Sequence, residues 1–260
     1  MKVNLSDKTA LICGASKGIG KAIAMQLAES GANVIITARN IKDLMAVNSQ
    51  LGGNGKHNYI AADFQEPEKA VKIIISQLPS KGCIDILVNN SGGPPAGKII
   101  KNEIEDFRLG IERHLFASHL LVKALSPAME ERRWGRILNI ISISVKQPID
   151  NLGVSNTVRG AMASWAKTLA GELGPSGITI NNILPGQTAT ARLFYLIENM
   201  AKNSGKQTSE VEEQLISQIP VGRFAKPEEI AYLAAFLASD FAAFINGTSI
   251  PVDGGFLKSL

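Results

Sequence analysis

The chain has 260 residues, of which 45% are hydrophobic and 19% are charged, and its formal net charge is +4. This composition excludes wholesale disorder and suits a single α/β domain over residues 1–260. The charge excess is too small to indicate a nucleic-acid-binding surface.

The cysteine content and the hydropathy pattern exclude several further classes of protein. Cys13 and Cys83 form no disulfide framework, and neither lies at metal-ligand spacing from another cysteine or a histidine, so we expect no metal site. The first seven residues lack the apolar core of a signal peptide, and no apolar run reaches the ~18 residues of a membrane helix. We therefore expect a cytoplasmic protein that does not enter a membrane.

Seven short apolar runs, rich in Val, Ile and Leu, predict parallel β-strands that are buried on both faces. In chain order they are residues 9–13, 34–37, 58–61, 84–89, 137–143, 178–184 and 249–252.

Helical patterns fill the intervals between these runs. Apolar residues recur at four-residue steps from Ile19 to Leu27, Pro67 and Pro227 each mark a first helical turn, and longer patterns cover about residues 106–132 and 155–173. Strands that alternate with helices predict a Rossmann-type, doubly wound parallel sheet with helices on both faces. The polar residues 199–213 interrupt this alternation, and we expect an excursion that forms a lid over about residues 188–218.

A glycine-rich loop joins the first predicted strand to the first predicted helix. Gly14, Gly18 and Gly20 allow a tight turn and a close approach of the backbone to a pyrophosphate, and the helix N-terminus adds free N–H groups. The intervening residues expected at the cofactor are Ser16, Lys17 and Ile19. This context of strand, loop and helix predicts a dinucleotide-binding site.

The end of the second predicted strand bears on the choice between NAD and NADP. An acidic residue here would bond the ribose 2′-hydroxyl of NAD, but the sequence has none between Glu29 and Asp43. Arg39 and Lys17 can instead bind a 2′-phosphate, which favours NADP(H). The alternative is that both are solvated surface cations.

Further motifs follow in order along the chain. They are Asp63, Asn89-Asn90-Ser91-Gly92, Pro185-Gly186 with Thr190, and the segments 220–224 and 251–255. Together with the glycine spacing, they resemble the motifs of the short-chain dehydrogenase/reductase family over essentially the whole chain. The resemblance is greatest to the members that are similar to 3-oxoacyl-carrier-protein reductases.

This resemblance implies cofactor contacts, a small-molecule carbonyl or alcohol substrate, and a homotetramer or homodimer. Asp63 would bond the adenine amine. The residues expected near the nicotinamide half are Asn90, Ser91, Gly92, Pro185, Gly186, Thr188 and Thr190. Subunits would pair through the two long helices, where Trp165, Leu169 and Leu173 form an apolar stripe that could equally face the sheet.

The catalytic positions depart from the family pattern of Asn, Ser and Tyr-x-x-x-Lys. The resemblance places Ser142 at the serine, Ser155 at the tyrosine, Arg159 at the lysine and His114 at the asparagine. Serine is a weaker acid than tyrosine, and arginine cannot relay a proton near neutrality, although it can hold the ribose. His114 could supply the proton, or it could be a structural histidine bonded to a neighbour.

The sequence therefore favours an NADP(H)-dependent oxidoreductase that interconverts a carbonyl and an alcohol with an altered catalytic set. One alternative is an NADP(H)-binding homologue with little reductase activity, acting as a sensor or assembly partner. A dehydratase or epimerase on the same fold is less well supported, because no second acid–base pair is evident.

Overall fold

The computed structural model describes residues 2–80, 82 and 84–259. Over these residues the chain forms one seven-stranded sheet in the order β3-β2-β1-β4-β5-β6-β7, and every neighbouring pair of strands is parallel. The strands are β1 (Thr9–Cys13), β2 (Asn33–Ala38), β3 (His57–Ala61), β4 (Ile86–Asn89), β5 (Gly135–Ile140), β6 (Ile178–Pro185) and β7 (Ser249–Val252). The predicted fold class is confirmed.

Helices cover both faces of this sheet. They are α1 (Gly18–Glu29), α2 (Ile41–Asn48), α3 (Pro67–Gln77), α4 (Ile104–Ile111), α5 (Ala117–Glu131), α6 (Gly153–Leu173), α7 (Ala191–Ser204), α8 (Thr208–Ile216) and α9 (Pro227–Leu237). Apolar side chains of α1, α2 and α9 pack on one face, and those of α3, α5 and α6 pack on the other. The sheet is thus buried on both sides, as near-continuous apolar strands require.

Several predicted elements differ from the structure in their bounds, and three of these differences bear on the candidate site. The helical pattern over about 106–132 is two helices, α4 and α5, joined by a π-helical turn at Glu112–Phe116. The strand predicted over 137–143 ends at Ile140, because the Ser142 hydroxyl accepts a hydrogen bond from the Ser144 amide and turns the chain. The helix predicted from residue 155 begins two residues earlier, at Gly153.

The polar segment 199–213 is helical rather than irregular. It lies across α7 and α8, whose apolar residues Ile197, Ala201 and Val211 form a small buried cluster of their own. This cluster explains why a polar stretch folds, since a few apolar anchors at helical spacing suffice to pair two short helices. The single domain with a lid at about 188–218 stays a prediction.

Part of the apolar stripe on α6 faces the core beside the sheet. Trp165, Leu169 and Leu173 are half-buried and pack against the core cluster formed with α3 and α5. Part of this stripe therefore covers the sheet, and its pairing with a second subunit stays a prediction.

The remaining expectations from the sequence concern the cysteines, metal sites and membrane-spanning helices. Cys13 is buried and free, whereas Cys83 lies outside the described residues. Across residues 2–80, 82 and 84–259 no group of acids, cysteines and histidines could hold a metal ion. No helix in that same part of the chain is long and apolar enough to cross a bilayer.

A row of buried polar side chains crosses four adjacent strands at one level of the sheet. Asn89, Asn139, Asn182 and Ser249 are aligned in register. The Asn89 amide donates to Asn139 at 2.9 Å, Asn139 donates to Asn182 at 2.9 Å, and Asn182 donates to the Ser249 hydroxyl at 3.0 Å. This ladder fixes the register of β4 to β7, and its first member, Asn89, is the last residue of β4.

Candidate functional site

The glycine-rich loop lies at the carboxyl end of β1, as the sequence predicts. Gly14 and Gly18 adopt positive φ angles of 61° and 57°, which favour glycine. A Cβ atom at Gly20 would overlap the carbonyl oxygen of Gly14. The loop therefore folds back tightly against the first turn of α1, and a side chain at position 20 would open it.

Asn90 braces this loop from the end of the neighbouring strand β4. Its side-chain amide lies 3.2 Å from the carbonyl oxygens of both Cys13 and Gly14. A Cβ atom at Gly14 would lie 2.7 Å from the Asn90 carbonyl oxygen, so the two loops are in close contact. This bracing couples the predicted phosphate site to the segment that leads to the predicted catalytic residues.

The geometry around this loop fits a dinucleotide. Within the described residues, no side chain caps the N-terminus of α1, and its first N–H groups are free to meet a pyrophosphate. By contrast, the Thr190 hydroxyl caps α7 by accepting a hydrogen bond from the Leu193 amide at 3.4 Å. Gly92 has open space where a Cβ would lie, so the next loop leaves room for a flat group beside the backbone.

The residues predicted for the adenosine half are at the surface. Lys17 and Arg39 are exposed, and in the described structure neither side chain forms an ion pair. Asp63 follows β3 and is half-buried, and its carboxylate accepts a hydrogen bond from the Gln65 amide at 3.1 Å. Both cations are therefore available to a phosphate at the end of β2.

The loop after β6 approaches the glycine-rich loop from the other side. Thr188 is buried and donates to the Gly186 carbonyl at 3.1 Å, and Thr190 donates to the Thr188 carbonyl at 3.3 Å. A Cβ at Gly18 would lie 3.3 Å from the Thr190 methyl group. Pro185, at the end of β6, and Ile19, in α1, complete the set of predicted cofactor residues near this junction.

His114 is buried and hydrogen-bonded to the loop after β4. Its Nδ1 atom lies 2.5 Å from the Ser91 hydroxyl, and its Nε2 atom is buried without a hydrogen-bond partner among the described residues. Burial first, then the positive charges of Arg159 and Arg113, hold the pKa of His114 well below its usual 6.5. The imidazole is therefore neutral at pH 7.

Arg159 lies one helical turn after Ser155 on α6 and points toward the sheet. It is 7% exposed, and its guanidinium donates to the Ile140 carbonyl at 3.0 Å. Burial and the nearby charge of Arg192 lower its pKa to about 10, so it remains charged at neutral pH. In the described chain this buried charge has no carboxylate partner.

One small cavity brings several predicted site residues together. Asn90, Ser91, His114 and Arg159 line it, next to Cys13 at the end of β1. Ser142 and Ser155 are half-buried nearby but do not line this cavity. Ser142 caps the turn after β5, and Ser155 lies in the first turn of α6.

Sequence reasoning missed two arginines of this region. Arg113 lines the same cavity as His114, and Arg192 donates to the Pro94 carbonyl at 2.7 Å and lies 5.8 Å from the Tyr195 ring. A signal was available: neither Arg113 nor Arg192 has an acidic residue three or four positions away, so neither can form the usual intrahelical ion pair.

Comparison with known proteins agrees with this geometry. The family model described as Enoyl-(Acyl carrier protein) reductase matches residues 14–257. NADPH-dependent reductase BacG of Bacillus subtilis is 33% identical over 98% of this chain and 100% of its own length. The 3-oxoacyl-[acyl-carrier-protein] reductase FabG of Vibrio cholerae is 35% identical over 97% of this chain and 98% of its own.

A solved structure shows the same relationship in three dimensions. L-sorbose reductase from Gluconobacter frateurii, complexed with NADPH and L-sorbose, superimposes with a TM-score of 0.91 at 31% identity and covers 100% of both chains. The fold and the site therefore define a dinucleotide-binding α/β protein. More specifically, the chain belongs to the short-chain dehydrogenase/reductase family, and it is similar to 3-oxoacyl-carrier-protein reductases.

Proposed function

We propose that this protein is an NADP(H)-dependent oxidoreductase that interconverts a carbonyl and an alcohol with an altered catalytic set. The observation that carries the proposal is the cavity at the carboxyl edge of the sheet, where Ser91, His114 and Arg159 meet the Asn90 brace of the glycine-rich loop. Ligands of open parallel sheets bind at this edge. Similarity to BacG and FabG, both named as reductases, supports the same reaction class.

The prediction that NADP(H) is the cofactor is confirmed by the relatives. BacG is named as NADPH-dependent, and the L-sorbose reductase structure contains NADPH. In this chain the first turn of α1 would hold the pyrophosphate, and Lys17 and Arg39 would hold the 2′-phosphate. When bound, the NADP(H) cofactor would supply a hydride to the carbonyl carbon of the substrate or accept one from the alcohol carbon.

The altered catalytic set changes how the substrate oxygen is handled. Ser142 and Ser155 would donate hydrogen bonds to the substrate oxygen, and Arg159 would hold the ribose and lend positive charge to the developing alkoxide. Neither serine is an acid near neutrality, and the neutral His114 cannot act as an imidazolium donor at pH 7. In this proposal the proton reaches the alkoxide from water through the serine hydroxyls.

A specific observation favours the second candidate, an NADP(H)-binding protein with little reductase activity. Burial keeps His114 neutral, and with Ser155 and Arg159 at the positions proposed for the family's proton-relay pair, none of these residues is an acid that gives a proton at pH 7. Loss of a positioned general acid costs ~10²–10⁴ in rate. Positioning of the two reactants can still support slow turnover, which is why the oxidoreductase is preferred.

The experiment measures NADPH oxidation across a panel of ketones, aldehydes and oxo acids, with the wild-type protein and the double variant S155Y/R159K. The first proposal predicts slow but saturable NADPH consumption by the wild type and a faster rate with the double variant. Tight NADPH binding without turnover of any carbonyl by either protein would support the second candidate instead. Binding of NADPH to the double variant is the control that its site is folded.

A further inference from the structure

Three arginines meet around the candidate site from different elements. Arg113 lies on the π-helical turn beside His114, Arg159 lies on α6, and Arg192 lies in the first turn of α7. Arg113 and Arg159 line one cavity together with His114. Arg192 donates to the carbonyl of Pro94, and Pro94 lines a second cavity together with Arg113.

No carboxylate neutralises this cluster in the described part of the chain. The five ion pairs found there involve Lys69 and four other arginines, all of them elsewhere. The one acid that lines an adjoining cavity is Asp106, and its carboxylate accepts hydrogen bonds from the Asn102 side chain and the Glu103 amide, both at 3.1 Å. These bonds engage it at the start of α4, where it completes the helix cap.

Arg113 borders a cavity that is lined by none of the residues predicted to bind the cofactor. It lines both the cavity shared with Arg159 and a second, larger one. In the described structure its Nε atom is buried and has no hydrogen-bond partner. Burying an unpaired N–H of a charged guanidinium group costs free energy unless a ligand accepts a hydrogen bond from it. The Nε–H and one terminal N–H of arginine match the two oxygens of a carboxylate.

The second cavity has the mixed lining of a small-ligand site. Pro94, Pro95, Leu109 and Gly110 supply apolar surface, and Arg113, Asp106 and His114 supply the polar groups. The loop that carries Pro94 is held by Arg192, which donates to the Pro94 carbonyl.

We propose that the carbonyl substrate of this protein carries a carboxylate, which Arg113 binds in a bidentate manner with support from Arg192. This inference rests on the proposed function, since it names the substrate class for the same site. Arg159 serves the reacting end, and the apolar walls of the second cavity contact the carbon chain between the carbonyl and the carboxylate.

The test measures binding, so that it does not depend on turnover. The protein is saturated with NADP⁺ and titrated calorimetrically with 2-oxohexanoate, 4-oxopentanoate and 5-oxohexanoate, and with the methyl ester of each acid. At least one acid should bind, and its ester should bind about tenfold or more weakly, because the ester loses the charge-assisted pair. Failure of every acid to bind, or equal binding of acid and ester, would overturn the inference.

Variants show which side chain recognises the anion. R113M should weaken binding of the acid about tenfold or more, R113K should do so less, and R192M should weaken it to an intermediate degree, all with an unchanged Kd for NADPH. R108M is the matched control, since Arg108 lies on α4 and pairs with Glu105 at 3.6 Å outside the cavity. If R113M and R192M weaken NADPH binding and not acid binding, the arginines hold the cofactor and the inference is wrong.

The two proposals fail in different ways. If acids bind with the predicted preference over esters but no carbonyl oxidises NADPH, the oxidoreductase proposal fails and the anion site stands. If uncharged ketones are reduced and acids do not bind, the oxidoreductase proposal stands and the anion site fails.

Discussion

At the scale of single residues, His114 is the group whose protonation the structure constrains most. Its ring is bonded to Ser91 and faces the positive charges of Arg113 and Arg159. Its pKa is lower in the folded protein than the usual 6.5, so the unfolded chain binds the proton first as the pH falls. The stability associated with a neutral His114 is therefore complete above pH 6.5 and is lost as the pH falls below it.

We expect the free energy of unfolding to fall between pH 7.5 and pH 5 by less in His114→Asn than in the wild type. Asparagine keeps a polar contact to Ser91 and does not titrate. Urea unfolding at a series of pH values measures this difference, and His119→Asn, at an exposed position on α5, is the matched control. Parallel pH dependences in the wild type and His114→Asn would show that His114 is not held neutral by the fold.

We expect Arg39 to determine the preference for NADPH over NADH. Its exposed guanidinium follows β2 without an ion pair in the described chain, so a 2′-phosphate would gain a charge-assisted hydrogen bond of ~1.5–3 kcal/mol. Arg39→Asp should therefore weaken NADPH binding about tenfold or more and leave NADH binding unchanged or tighter.

Fluorescence titration with both cofactors measures this selectivity. Lys56→Asp makes the same kind of charge reversal at an exposed position just before the amino end of β3. It should leave the affinities for NADPH and NADH unchanged. Equal affinity of the wild type for NADPH and NADH would contradict the assignment of Arg39 and Lys17.

Sequence reasoning could predict the residues whose role depends on local order. The glycine spacing, Asn90 and the end of β2 follow directly from a strand, a loop and a helix in succession. The local signal at Arg113 and Arg192 could not show that they belong to one site, because they are 79 positions apart in the chain (192 − 113) and α7 reaches this region through the Arg192 bond to the Pro94 carbonyl. The low pKa of His114 likewise depends on burial that no local pattern reveals.

At the scale of elements, the polar ladder across β4 to β7 is the feature with the clearest energetic consequence. Asn139 is fully buried and bonded on both sides, to Asn89 and to Asn182. Asn139→Ala leaves a donor and an acceptor without partners and opens a small cavity. We expect a loss of about 2–4 kcal/mol in the free energy of unfolding.

Urea unfolding of the cofactor-free protein measures this loss. Ser249→Ala removes only the last member of the ladder, at the edge strand, and should cost about 1 kcal/mol. An equally small effect at Asn139 would mean that the ladder contributes little and that apolar packing alone sets the register.

The strands could be predicted to within a few residues because both faces of the sheet are covered by helices, so each strand is a continuous apolar run. The ladder could not, because Asn139 and Asn182 are polar residues inside such runs and their partners depend on the register. The π-helical turn at Glu112–Phe116 was also missed, since the pattern over about 106–132 was interpreted as one continuous helix. Such turns are frequent at functional sites, and this one carries both Arg113 and His114.

At the scale of the whole molecule, assembly remains the main expectation from the family resemblance, which implies a homotetramer or homodimer paired through the two long helices. The outer face of α5 presents His119 to solvent, in contact with Trp165 of α6, and Phe116, at the end of the π-helical turn, is 50% exposed. We expect this surface to pair with a second copy.

We therefore expect a dimer or tetramer by light scattering at micromolar concentration, and a shift toward monomer in Phe116→Glu. Met45→Glu introduces the same charge at a similarly exposed position, 52%, on α2 and should leave the assembly unchanged. A monomeric wild type would show that this chain does not share the assembly of the family.

We propose that hydride transfer occurs beside the cavity lined by Ser91, His114 and Arg159. A crystal structure of the protein with NADP⁺ is the most direct test of this proposal. We expect the pyrophosphate at the first turn of α1, the 2′-phosphate at Arg39, and the nicotinamide ring beside this cavity with Arg159 at the ribose. A nicotinamide ring that lies away from His114 and Arg159, or a disordered ring beside an ordered adenosine, would contradict it.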